Sequence, residues 1–166
     1  MRGVFVLLSF LFKEENIMGC SSTRKSCNDK SCQRFYNTQQ QSVAVDTPLQ
    51  IQIAGAKVVD SGIAIETEPA SYTITKTGLY HIAADLTVFA TAAGAATFSA
   101  YLDGVQLPCT KRTVTLLAGT TEIHTETDLA FSHCCPCINK TITFVIEGAT
   151  VAGTITQFCT GVLKLA

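Results

Sequence analysis

The most chemically reactive residue types in this sequence lie together in the stretch FSHCCPCINK. It places His133, Cys134, Cys135, Pro136 and Cys137 in consecutive positions. Imidazole and thiolate groups this close together could bind zinc, form a redox-active pair or form disulfides. The elements on either side of the stretch decide between these chemistries.

A metal site is the less favoured interpretation. Structural zinc takes four Cys or His ligands, commonly from two closely spaced pairs. Cys134 and Cys137 form one Cys-x-x-Cys pair, but the sequence has no second pair, and His133 could join them only after a sharp backbone turn. A thioredoxin-type redox motif needs a helix after the pair, whereas a strand is predicted here. His133, Cys134 and Cys137 therefore stay minority metal candidates, and no cofactor is predicted.

Disulfides are the favoured interpretation. Pro136 stiffens a loop that is predicted to join two long strands, and Cys109, just after the predicted Asp103-Gly104 hairpin, could reach the same end. We expect one cysteine of the loop to pair with Cys109, which closes a loop of about 25 residues worth about 3 kcal/mol in the chain-entropy model. The full set of disulfide or cross-link candidates is Cys20, Cys27, Cys32, Cys109, Cys134, Cys135 and Cys137. Cysteines left over after the Cys109 pairing would bond to other subunits.

Composition predicts one β-rich domain and gives no reason to expect nucleic acid as a partner. The chain has 166 residues, which is enough for a core, and a formal net charge of −1. Charged residues make up 15% of it, against about 25% in an average domain. Low charge and a mean hydropathy of +0.29 suit a protein that hides part of its surface in partners or an assembly.

Residues 1–17 are predicted to be a short apolar leader or a mis-assigned start. The apolar run from Gly3 to Phe12 is too short for a membrane span, which needs about 20 residues. It is similar to a signal-peptide core, but no small-x-small cleavage site follows it. If translation starts at Met18 instead, MGCSST matches an N-myristoylation pattern, with Gly19 as the acceptor and Cys20 as a palmitoylation site.

Residues 18–41 are predicted to be a polar arm that bears Cys20, Cys27 and Cys32. They contain almost no aliphatic side chains, so burial cannot offset the entropy cost of ordering them. We expect a flexible arm that is ordered only by cross-links or by a neighbour. The folded domain is then residues 42–166.

Hydrophobic residues alternate with a period of two throughout the domain. YHIAADLTVFA places Tyr80 and Ile82 on one face and His81 and Asp85 on the other, which is the pattern of half-buried antiparallel strands. The predicted strands are 42–46, 49–54, 57–60, 62–67, 71–75, 79–90, 96–103, 120–131, 139–147 and 154–165. About eight to ten strands without helices predict an all-β sandwich or jelly roll.

Two further predictions come from this alternation. Cys159 is in line with Ile155 and Leu163 of the last strand, so we expect a buried free thiol. His81 and His124 lie on polar strand faces beside acids, where solvated side chains are usual. Because no nucleophile–base constellation or phosphate-binding loop is evident either, no catalytic residue is predicted.

Three stretches resemble jelly rolls related to tumour necrosis factor and the globular heads of complement. They are GIAIETEPASYTITKTGLYHIAADLTV, the hairpin FSAYLDGVQL and the last strand TQFCTGVLKLA. The resemblance covers residues 45–166 and is closest to small bacterial spore-surface and bacteriophage virion proteins. It implies a homotrimer with the last strand near the trimer axis, and we expect Tyr80, Phe158 and Val162 to contribute to the trimer interface.

Two classes of function compete. The first is a non-enzymatic structural subunit of a virion or spore surface, with itself and neighbouring subunits as partners and cysteines as cross-links. The second is a secreted or surface module that binds a receptor or glycan through loops at one end of the sandwich. The predicted loops TAAGAAT and CTKRTVTLLAGTT contain mostly small residues, which favours the first class.

Overall fold

The computed structural model describes residues 32–53, 56–59, 65–132 and 137–165. The predictions for residues 1–31, including Cys20 and Cys27, and for His133, Cys134 and Cys135 lie outside these ranges. In the described residues the chain forms thirteen strands and one 3₁₀ turn. The strands are β1 Cys32–Asn37, β2 Gln41–Val43, β3 Leu49–Gln50, β4 Ala56–Val59, β5 Ile65–Glu68, β6 Ser71–Lys76, β7 Gly78–Ala90, β8 Gly94–Leu102, β9 Val105–Gln106, β10 Arg112–Leu116, β11 Gly119–Phe131, β12 Cys137–Glu147 and β13 Gly153–Lys164. The 3₁₀ turn is Pro108–Thr110.

The strands form two antiparallel sheets, as the period-two pattern predicted. The first sheet has the order β11-β7-β13-β1-β4, with β2 paired to β13. The second has the order β10-β8-β12-β6-β5, with β3 paired to β12 and β9 paired to β8. Most neighbours in each sheet are distant in sequence, which is the connectivity of a jelly roll rather than of a simple meander.

The core lies between the two sheets and is rich in aromatic rings. Phe144 of the second sheet packs against Phe158 of the first at a centroid distance of 5.4 Å, and Phe98 lies 6.1 Å from Phe144 and 6.3 Å from Phe158. All three side chains are fully buried. The two contacts of Phe158 are edge-on and that between Phe98 and Phe144 is stacked, and aromatic contacts of both kinds add to the free energy gained from burying the rings. This cluster ties the last strand, β13, to the opposite sheet.

The predicted arm is wrong from residue 32 onward, because β1 is an internal strand of the first sheet. It pairs with β13 on one side and β4 on the other. Phe35 is 8% exposed and Asn37 is 2% exposed, and Asn37 Nδ2 donates to the Gln52 carbonyl at 2.8 Å. The low aliphatic content of this segment led to an underestimate of its stability in the fold. One buried aromatic ring and two hydrogen-bonded ladders order it. The folded domain therefore begins at or before Cys32 rather than at residue 42.

The sequence also failed to predict β9 and β10. Strand β10 lies inside CTKRTVTLLAGTT, which was predicted as a loop, and β8 begins at Gly94 within the predicted TAAGAAT loop. The hairpin between β8 and β9 is as predicted: Asp103 and Gly104 have positive φ values of 50° and 80°.

Candidate interaction surface

Among the described residues, the candidate interaction surface is the outward side of the first sheet, because it carries acidic and basic side chains at separate places. Side chains of β11, β7, β13 and β1 that point away from the core form this surface, which we call the outer face. One row across it runs from Glu126 through Ala83 and Gly161 to Arg34. The two smallest side chains thus lie between an acid on one strand and a base three strands away.

Charge is unevenly distributed over the outer face. Strand β11 is an edge strand and presents the exposed acids Glu122, Glu126 and Asp128. After its register shift, in contrast, the outward residues of β13 are Gln157, Cys159, Gly161 and Leu163, none of which is acidic or basic. Beyond β13, the stem of Arg34 lies across Gly161, with Cγ 3.4 Å from the position that a Cβ would occupy there. The outer face therefore has acids on β11 and, at Asp85, on β7, an uncharged strand β13, and a basic residue beyond it.

The predicted interface residues Tyr80, Phe158 and Val162 are in the core and not on this surface. Each is 0% exposed, and the Tyr80 hydroxyl donates to the Lys76 carbonyl at 2.9 Å. Side chains enclosed between the sheets of one chain cannot contact another subunit, so this prediction is corrected. For β13 the cause is an irregularity: its register with β7 shifts between Ile155 and Gln157. An extra residue there exchanges the inward and outward sides of the strand.

The cysteines are only partly described. Cys109 is an exposed free thiol whose Sγ lies 3.2 Å from Thr127 Oγ1. Its predicted bond is not formed in this structure, and because Cys134 and Cys135 lie outside the described residues, the pairing stays a prediction. The backbones of Cys32 and Cys137 begin strands β1 and β12.

Cys159 differs from its prediction in one respect. It is 1% exposed, so its burial is confirmed. Its sulfur is disulfide-bonded, however, so the expected free thiol is wrong. The cysteine bonded to it is not among the side chains that the structure describes, since Cys109 is free. The register places Cys159 opposite Asp85 on the outer face, because of the same shift in β13.

A polar cluster on the second sheet had no signal in the sequence. Gln106 Nε2 donates to Glu147 Oε1 at 2.9 Å and to Ser99 Oγ at 3.0 Å, and the Tyr101 hydroxyl donates to Glu147 Oε2 at 3.0 Å. Burial, followed by the bond to Glu147, raises the pKa of the Tyr101 hydroxyl above its ordinary value. The cluster fastens the β8–β9 hairpin to β12, and we assign it a structural role.

The adjoining turn is held by a second set of polar contacts. Lys140 Nζ donates to Asp103 Oδ2 at 2.6 Å, and the Thr141 amide donates to Asp103 Oδ1 at 2.9 Å. These bonds, the one from Lys140 first, lower the pKa of the Asp103 carboxyl below its ordinary value. Only residue pairing across the sheet brings these groups together, so spacing along the sequence could not have shown it.

The fold matches solved structures, although the sequence matches no family model and no curated protein. Murine APRIL, in a crystal structure at pH 5.0, has a TM-score of 0.57 at 14% identity, over 81% of this chain and 98% of that one. PRD1 vertex protein P5 has a TM-score of 0.55 at 14% identity, over 83% and 99%. The globular domain of zebrafish complement 1qA has a TM-score of 0.50 at 8% identity, over 81% and 97%. The chain therefore has the jelly-roll fold of the tumour necrosis factor and complement-head class, as its resemblance predicted.

The described residues contain neither a candidate membrane-spanning helix nor a candidate metal site. None of their elements is a helix long and apolar enough to cross a membrane. In the same ranges, no group of three or more His, Cys, Asp or Glu side chains could hold a metal ion.

Proposed function

We propose that this protein is a non-enzymatic structural subunit that forms a homotrimer on the surface of a virion or spore. The observation that supports it best is the uneven charge of the outer face, with the acidic edge of β11 on one side and Arg34 on the other. A surface with two different halves suits head-to-tail contact between copies, which closes into a ring when the rotation allows. Opposite charges would then meet across each contact and fix its register.

The fold supports the proposed number of subunits and the proposed location. The resemblance to tumour-necrosis-factor-like jelly rolls implies three chains. PRD1 vertex protein P5, which has a similar fold, is a vertex protein. The uncharged strand β13 supports burial of the outer face, because its residues Gly161 and Leu163 lose no side-chain hydrogen bonds or charge contacts when a neighbour covers them. These features favour a subunit of an assembly over a receptor- or glycan-binding module.

Ala83→Arg is expected to separate the trimer into single chains. Ala83 lies at the centre of the outer face, where so long a side chain would hold a neighbouring subunit away from the small residues around it. The matched control is Thr115→Arg, which adds the same charge at an exposed position of β10 in the second sheet. Sedimentation velocity at micromolar concentration should give one-chain mass for Ala83→Arg and three-chain mass for the control. A trimer that survives Ala83→Arg would contradict this placement of the interface.

We further propose that cysteines outside the described residues cross-link neighbouring subunits. Cys20 and Cys27 precede β1, which lies on the outer-face side of the sandwich, so a neighbour bound there would be within their reach. Non-reducing electrophoresis of protein quenched with an alkylating reagent is expected to show a ladder of multiples of the 17.7 kDa chain that collapses with reductant. A single band at the chain mass under both conditions would overturn the cross-link.

A further inference from the structure

Cys159 is enclosed on a side of the sheet that is otherwise open. It points outward from β13, between Asp85 of β7 and Tyr36 of β1, yet it is 1% exposed. The next outward residues along β13, Gln157 and Gly161, are both partly exposed. The Cys159 sulfur is also disulfide-bonded. Another stretch of chain, which carries the bonded cysteine, therefore lies against β13 at this point.

Two of the other cysteines are excluded as the bonded residue by their own positions. Cys109 is a free thiol. Cys32 begins β1 and lies opposite Leu163, four residues along β13 from Cys159. With about 3.3 Å per residue along a strand and about 4.8 Å between strands, the Cα atoms of Cys32 and Cys159 are about 14 Å apart. A disulfide requires Cα atoms within about 7 Å of each other, so Cys32 is too far away.

The cysteines of the stretch between β11 and β12 are also too far from Cys159. The last residue of β11 lies opposite Gly78 of β7, whereas Cys159 lies opposite Asp85, seven residues farther along β7. Seven residues of strand span about 23 Å. Cys134 follows β11 by three residues, which extend to at most about 11 Å, and a disulfide bridges about 7 Å more. The two cysteines that follow are no nearer, because β12 begins at this same end, opposite the last residue of β6.

We propose that Cys159 is bonded to Cys20 or Cys27 of the same chain, and that the stretch 20–31 thereby covers β13 on the outer face. Both cysteines precede β1, the strand that is hydrogen-bonded to β13. Counted back from Cys32, five residues reach Cys27 and twelve reach Cys20. Five residues extend to about 17 Å and twelve to about 40 Å, and the distance to be spanned is about 14 Å. Reach therefore agrees with the elimination of the other cysteines.

Charge supports the same placement. The stretch 20–31 contains three basic residues, Arg24, Lys25 and Lys30, and one acid, Asp29. The outer face beside β13 carries acids on β7 and β11. Opposite charges on two surfaces favour their contact and fix its orientation. A net basic stretch of the same chain therefore suits this part of the outer face.

The bond requires an oxidant and no other cofactor. Two thiols lose two protons and two electrons when the bond forms, and a low-molecular-weight disulfide takes these up and becomes two thiols. The inference concerns a single chain and does not require the proposed trimer, so a chain that proved monomeric would still be expected to have this bond. Whichever of Cys20 and Cys27 is not bonded to Cys159 stays available for the cross-link between subunits.

Peptide mapping of the unmodified full-length chain tests the pairing. The chain is alkylated without reductant, and the band of single-chain mass from a non-reducing gel is digested with trypsin. Cleavage after Lys and Arg leaves Cys159 as the one cysteine of fragment 141–164. We expect this fragment to be linked to the fragment that ends at Arg24 or to the fragment that ends at Lys30. An alkylated Cys159, a link to fragment 113–140, or a link found only in bands of several chains would overturn the pairing.

A variant with both Cys20→Ser and Cys27→Ser gives a second readout. Under denaturing conditions without reductant, Cys159 should be alkylated in this variant and protected in the unmodified chain. The matched control is Cys109→Ser, which also removes a thiol but leaves the proposed bond in place, so Cys159 should stay protected. Protection of Cys159 in the double variant would contradict the proposal. Peptide mapping needs no variant, so it decides the pairing even if the double variant fails to fold.

Discussion

Replacing Phe158 with alanine is expected to lower the free energy of unfolding by about 3–5 kcal/mol. The ring is fully buried and contacts both Phe144 and Phe98 across the sandwich, so its removal leaves a cavity at the centre of the core. Urea unfolding, followed by far-ultraviolet circular dichroism at one fixed chain concentration, gives the difference. The concentration must be fixed because assembly adds its own stabilisation.

Gln157→Ala is the matched control for this prediction. Gln157 is the neighbouring residue on the opposite side of β13, after the register shift at Ile155. Its removal is expected to change stability by less than about 0.5 kcal/mol. If Gln157→Ala lowered the free energy of unfolding more than Phe158→Ala does, the strand would have the unshifted register, and Phe158 would face outward.

Removal of β1 is expected to abolish cooperative folding. A chain that begins at residue 38 lacks a strand bonded on both sides, so the facing edges of β13 and β4 lose their partners. It also loses the buried contacts of Phe35 and Asn37. Thermal unfolding by circular dichroism should show no cooperative transition for this chain.

A chain that begins at residue 32 is the control for the truncation. It keeps β1, and it should unfold cooperatively under the same conditions. Both chains are measured with reductant, so that disulfides to the removed residues stabilise neither of them. An unchanged midpoint for the chain from residue 38 would mean that β1 does not belong to the folded core.

The inward faces of long regular strands could be predicted from the sequence. The alternation in YHIAADLTVFA correctly places Tyr80, Ile82, Ala84, Leu86 and Val88 in the core. This prediction succeeds because the period of a regular strand is fixed by its backbone geometry. The same regularity explains why the sandwich fold and its resemblance to tumour-necrosis-factor-like jelly rolls could be predicted from the sequence.

The errors arise where geometry departs from that regularity or depends on pairing. One register shift in β13 exchanged its two sides, which moved Phe158 and Val162 inward and Cys159 outward. No residue type near Thr156 indicates such a shift in the sequence. The arm was misjudged because Cys32–Asn37 gains stability from ladders with strands far along the chain, β13 and β4.

The contacts of His81 and His124 with acids on the outer face could be predicted only in part from the sequence. The alternation correctly put His81 and His124 on polar faces beside acids. That Asp128 lies opposite His81, and that both rings face Glu126, depends on the register between β7 and β11. Register is set by contacts that no single strand contains.

The native mass of the unmodified chain tests the central claim most directly. Light scattering coupled to size exclusion, at micromolar concentration and with reductant present, separates non-covalent assembly from disulfide cross-links. The proposed homotrimer predicts a mass three times the 17.7 kDa of one chain. A mass of one chain under these conditions would contradict the trimer and, with it, the proposed role of the outer face.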